Sequence, residues 1–132
     1  MVATVTTQKI ADGPGVVVVK VTILGDAAGD IVAGGNVFVA DPTTFTPATT
    51  RVRIDRVQGM LAGFAATLWF DATSDVMILA MPDGKDFDID YREAGGLSPT
   101  GAAGQTGKIQ LTTLGLATGE TGGFTLYMTK KP

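Results

Sequence analysis

The nine residues Val16 to Leu24, VVVVKVTIL, decide the fold. β-Branched side chains dominate them, and their restricted χ1 freedom favours the pleated backbone over the helix. Only Lys20 and Thr22 interrupt a run that is apolar on both faces, the pattern of a central strand rather than an edge. Turn chemistry brackets it. Before it, Ala11-Asp12-Gly13-Pro14-Gly15 forces a reversal, because glycine tolerates positive φ and proline fixes its own. After it, Gly25 to Asp30 reads as a loop.

The same punctuation recurs along the chain, where Gly and Pro clusters cut segments of about 8 to 12 residues, the spacing of short strands in a sandwich or barrel. Ala3 to Ile10 alternates weakly and reads as an edge or arm strand. Ile31 to Ala40 reads as a strand broken at Gly34-Gly35, and Pro42 to Thr50 as an extended surface connection outside the core. In Arg51 to Val57, Arg51, Arg53 and Asp55 point one way, while Val52, Ile54 and Val57 supply the apolar side with a slip after Asp55. Phe64 to Phe70 and Asp75 to Met81 flank Asp71-Ala72-Thr73-Ser74, whose side chains can bond their own backbone and close a hairpin. Pro82 to Lys85 makes the next turn, and strands at Asp86 to Arg92, Lys108 to Leu114 and Phe124 to Lys130 complete the set around a Gly-rich loop from Ala94 to Gly107. The expected fold is all-β: an antiparallel β-sandwich, jelly-roll-like, of about eight or nine short strands.

Composition agrees. The 132 residues suffice for one domain, and 18 Gly with 19 Thr suit strands and tight turns better than long helices. Hydrophobic residues at 45% against charged residues at 17% exclude disorder driven by charge. With no Cys and no His, disulfide frameworks, Cys/His zinc sites, thiol nucleophiles and imidazole acid–base chemistry are closed, so an enzyme is not expected. Net charge is -3 and the ten basic residues are scattered, which argues against nucleic acid as a partner. Met1 to Ile10 shows no secretion signal, and the nearly apolar stretch Met60 to Phe70 is about half the length that spans a bilayer. Neither a membrane nor a cofactor is expected.

Four features invite a chemical reading. Ala102 to Ile109 (AAGQTGKI) approaches a phosphate-cradling loop, but Ile109 stands where a magnesium-ligating hydroxyl belongs, and the following residues alternate like a strand. Asp86, Asp88 and Asp90 alternate with Phe87, Ile89 and Tyr91, placing three carboxylates on one side of a strand. Tyr91 and Leu97 occupy the positions where a calcium loop needs Gly and Glu, so an ionic face is the expected role, with Arg51, Arg53 and Arg56 as partners. Trp69, Tyr91 and Tyr127 are expected in the core, because large aromatics dominate small cores. Paired carboxylates alone can hydrolyse glycosides, yet the sequence singles out no pair.

The ordered segments ATVTTQKIADGP, LWFDATSDV, DFDIDYREAGGL and AGQTGKIQLTTLGLATGETGGFTLYMTKK resemble those of the capsid decoration, or cement, proteins encoded in the head-gene regions of tailed bacteriophages. The likeness runs from Ala3 to Lys130 and carries no catalytic signature. It implies a jelly-roll-like sandwich that forms homotrimers on the outside of an icosahedral shell, binds the major capsid protein and ties neighbouring capsomers together, after synthesis in the host cytoplasm. On that footing residues 1–12 and 42–50 are expected to be capsid-contacting arms, with Thr4, Thr6, Thr7, Lys9, Thr44 and Phe45 at the contact. Arg51 and Arg53 are expected to meet Asp86, Asp88 or Asp90 across a protomer boundary. A receptor- or carbohydrate-binding knob of a virion fibre, with Trp69 or Tyr91 stacking on sugar, is the alternative.

Overall fold

In a computed structural model describing residues 4–25, 30–32, 37–46, 48–49, 51–81, 83–84, 86–98, 104 and 106–131, Val16–Leu24 forms β2. It lies inside a five-stranded sheet, between β1 (Thr4–Asp12) and β9 (Thr121–Lys131), with β4 (Arg51–Leu61) and β7 (Asp86–Asp90) beyond β9. The second sheet holds β3 (Phe38–Ala40), β8 (Ile109–Leu114), β5 (Ala65–Phe70) and β6 (Val76–Met81), in that order.

The pairing is nested. β2 pairs with β9, β3 with β8, β4 with β7 and β5 with β6, every ladder antiparallel, as in one long hairpin rolled upon itself. Ladders between β4 and β9 and between β5 and β8 close the roll. Eight strands so connected make a jelly roll, to which β1 adds an outer edge against β2.

Between the sheets, Val17, Val19, Val21 and Ile23 of β2, with Val52, Ile54, Val57 and Leu61 of β4 and Phe124, Leu126 and Met128 of β9, meet Leu68, Phe70, Ile109, Leu111 and Met81. Burying each such side chain contributes about 1.5–3 kcal/mol before chain entropy is charged against it. A two-layer sandwich covers only one face of each sheet, and this corrects the expectation for β2. Its position is central, but its second apolar face looks outward, leaving Val16 53% and Leu24 45% exposed.

The slip read after Asp55 is a β-bulge: the β4–β9 register shifts between Ile54 and Arg56, so Ile54 and Val57 both face inward despite their odd spacing. Two expectations need correction. Of Ile31 to Ala40, only Phe38–Ala40 is strand, and the break at Gly34-Gly35 lies outside the described residues. The segment after Asp41 is no loose arm. Asp41 caps a single 3-10 turn, Pro42–Thr44, by accepting from the Thr43 N–H at 3.1 Å, and Pro42 and Phe45 are buried. β9 also begins three residues earlier than expected. Gly122 and Gly123 belong to the strand because neighbours crowd them: a Cβ on Gly123 would lie 2.9 Å from the Val21 carbonyl oxygen, and one on Gly122 2.8 Å from Leu61 Cδ2.

Candidate interaction surfaces

On the outer face of the five-stranded sheet the β4–β7 side is ionic, while β2 exposes the apolar Val16 and Leu24 at its two ends. Asp86, Asp88 and Asp90 are exposed along β7 while Phe87 and Ile89 turn inward, as the alternation predicts. Arg56, diagonally across on β4, grips Asp88 with both guanidinium branches, its Nε donating to Oδ1 at 2.7 Å. Its guanidinium carbon lies 5.4 Å over the Tyr127 ring, whose hydroxyl donates to Gln58 at 3.3 Å. The guanidinium holds the Asp88 carboxyl below its ordinary value and is itself pushed further up. Asp90 is held down to about 2 by Arg92, which donates from both its side chain and its backbone N–H.

Arg53, expected to reach Asp86, Asp88 or Asp90 of another copy, turns instead to Asp55, donating from Nε at 2.7 Å. Asp55 is 9% exposed and accepts a second bond from the Thr129 hydroxyl at 2.5 Å, so the bulge is tied to β9. Asp88 and Asp90 likewise find their arginines within the chain, whereas the Arg51 side chain lies outside the described residues. Among the described residues no group of three or more acidic side chains is placed to hold a metal ion, and no helix is long and apolar enough to cross a membrane.

The strands of the four-stranded sheet, β3, β5, β6 and β8, contain no Asp, Glu, Lys or Arg, and the Lys108 ammonium reaches this sheet only over the Phe38 ring. Met77 is 55% and Leu114 74% exposed on its outer face. Trp69 stands opposite Met77, half-buried, with its indole N–H donating to the Thr112 hydroxyl at 2.9 Å, and Leu114 lies opposite Ala65 at the other end of the face. The expectation of a core tryptophan is corrected: Ala66, Leu68 and Phe70 take the inward phase of β5, which turns the residue between Leu68 and Phe70 outward. Tyr127 is displaced in the same way by Leu126 and Met128, whereas Tyr91 does pack against the core, and burial pushes its phenol up. Gln110, in the outward phase beside Trp69 and Phe38, is nevertheless 2% exposed, and among the described residues its Oε1 has no hydrogen-bond partner.

The expected arm residues divide. Thr4 and Thr6 lie exposed on β1, opposite Leu24 and Thr22. Thr7 and Lys9 occupy the other phase and line a cavity of about 280 Å³ with Phe38, Asp41, Thr44 and Phe45. Lys9 donates to the Thr44 carbonyl at 3.1 Å, and Phe45, 5% exposed, belongs to the core and offers nothing to a partner. Met1 to Ala3 lie outside the described residues, as does Thr50. The segment resembling a phosphate loop leads into strand β8 and not into a helix; Lys108 rests 4.9 Å over the Phe38 ring, and residues 102, 103 and 105 lie outside the described set.

Sequence reasoning missed Met77 and Leu114, because an apolar run such as VMILAM does not show which phase a second layer will cover. Comparison with family models, curated proteins and solved structures gives no match for the chain.

Proposed function

We propose that this chain is a non-enzymatic virion structural protein, a decoration protein that associates as a homotrimer and cements adjacent capsomers on the outer surface of an icosahedral phage capsid by binding the major capsid protein. The observation that carries the reading is one jelly roll whose four-stranded sheet has no charged residue within its strands, while the five-stranded sheet carries ion pairs on its outer face beside β7. A cement holds copies of itself and a shell at once, so it needs surfaces that do not compete for the same partner. Jelly rolls recur in viral capsid and lectin domains, which supports the reading by analogy of fold. Thr4 and Thr6 on the outer edge strand, with Asp86, Asp88 and Asp90, supply the shell contact; the last two already have arginines within their own chain and need none from another copy.

Purified protein mixed with undecorated capsids and imaged by electron cryomicroscopy tests this. Regular density on the outer lattice is expected, reduced when Thr4 and Thr6 are replaced by Glu; bare shells at saturating protein reject the reading. The outward position of Trp69 favours a second reading, a carbohydrate-binding knob, because an exposed indole face stacks on sugar. Glycan-array binding that disappears in Trp69→Ala, with shells left bare, selects it.

A further inference from the structure

We infer that an extended segment of the shell protein lies across the outer face of the five-stranded sheet, from Lys20 to Asp86. It presents an acidic side chain to Lys20, a basic one to Asp86 and an apolar one to the hollow between them. The inference deepens the proposed function and rests on it for the identity of the partner.

Strand register builds the hollow. Outward-facing residues line up in two rows across the sheet, Thr22, Gly123, Met60 and Asp86 in one, Lys20, Thr125, Gln58 and Asp88 in the next. Gly123 carries no side chain, so its row has a gap between Thr22 and Met60. Two adjoining depressions open there, of about 520 and 500 Å³, and both are lined by Gln58, Gly59 and Met60. One reaches Lys20 and the other Asp86, so together they form a single trough across β9 and β4, too large for one ion. Met60, 53% exposed, gives it an apolar wall. Gln58, whose Oε1 accepts from the Tyr127 hydroxyl, keeps its amide N–H groups for a partner's carbonyls.

Charge selects the occupant. Asp88 and Asp90 are paired with Arg56 and Arg92, which leaves Asp86 as the β7 carboxylate without an ion pair among the described residues. Lys20, exposed at the opposite end, has none among them either. Opposite charges at the two ends of a partly apolar trough match a chain that carries both signs. A neutral sugar leaves both charges unanswered, and the phosphates of a nucleic acid meet Asp86 and Asp88 with like charge. Distance sets the spacing. Lys20 and Asp86 stand three strands and two residues apart, roughly 16 Å between Cα atoms. An extended segment rises about 13 Å over four residues and turns residues i, i+2 and i+4 to one side, and the ionic side chains span the rest. The pattern recognised is therefore acidic, apolar and basic at alternate positions, in either chain direction.

NMR titration of the isotope-labelled full chain with the peptide Ser-Glu-Ser-Leu-Ser-Lys-Ser, at millimolar concentration, tests the pattern without a shell. Shifts are expected at Lys20, Thr22, Met60, Gly123 and Asp86, and none on β6. Replacing the peptide's Lys by Glu, or Asp86→Lys in the protein, should each weaken binding about fivefold, and the two changes together should restore it. Thr22→Trp, an exposed substitution that fills the hollow and keeps every charge, should abolish the shifts. No shift with the wild type, shifts centred elsewhere, or losses that the combined change does not restore overturn the inference. Shell binding is scored separately: a chain that takes the peptide in the trough yet leaves capsids bare sinks the decoration reading alone, and Thr22→Trp decorating them as the wild type does sinks this one alone.

Discussion

Lys130 and Asp12 join the last strand to the first: the Lys130 ammonium lies 2.8 Å from Asp12 Oδ1, with its side chain 5% exposed. Asp12 Oδ2 accepts from the Thr46 N–H at 2.8 Å, and Lys9 approaches it at 3.5 Å. One carboxylate therefore ties β1, β9 and the turn after β3 at a single point, and Lys130 holds its pKa below the ordinary value.

Asp12→Ala should loosen β1 selectively. Hydrogen exchange is expected to speed up across Thr4 to Asp12 and around Thr46, while β4 and β9 keep their protection. Uniform acceleration through the whole chain would show that the contact supports global stability and does not latch the edge strand.

Gly59 marks the tightest approach within the five-stranded sheet, since a Cβ there would lie 2.3 Å from the Gly123 carbonyl oxygen and 2.6 Å from Phe124 Cα. Backbone atoms cannot swing aside as a side chain can. Gly59→Ala should cost about 1–3 kcal/mol of stability in urea unfolding. An unchanged midpoint would mean that β4 and β9 slide apart without penalty.

Asp55 anchors the β4 bulge through Arg53 and Thr129. Asp55→Ala leaves two donors facing a largely buried space and should cost about 1–3 kcal/mol. The double variant Asp55→Ala with Arg53→Met should recover part of the loss, and strictly additive losses would reject the coupling.

Acid should lower the stability of the protein in a defined window. The carboxyls of Asp12, Asp30, Asp88 and Asp90 all titrate below the ordinary 3.8 in the folded state, Asp90 at about 2. For Asp30, desolvation pulls upward, but the N–H groups of Leu116 and Gly115 and the Thr113 hydroxyl outweigh it. The unfolded chain thus binds more protons than the folded one between the two sets of values, so stability is full above about pH 4 and is lost as pH falls toward 2. With no histidine in the chain, the urea midpoint should stay nearly level from pH 5 to 7. A midpoint that holds down to pH 2 would contradict the depressed carboxyls.

The all-β class, the central place of VVVVKVTIL, the hairpin joining β5 to β6, the slip at Asp55 and the three aspartates on one side of β7 are all legible in the residues alone. Each is written in local chemistry: β-branching, turn residues and a period of two. Which phase of each strand another layer covers is settled by packing between the two sheets. Val16 and Leu24 read like Val17 and Ile23, yet two are exposed and two are sealed. Trp69 is outward because Leu68 and Phe70 are inward, and Phe45 is core because a capped turn folds it under β1. The ion pairs were only half legible: the spacing of two puts Arg53 and Asp55 on one side of β4, but that Arg53 bonds Asp55 and Thr129 within the chain appears only in the folded structure. An apolar strand carries its periodicity in its residues, but the covering that makes one of its faces a core and the other a surface comes from segments far away in the chain.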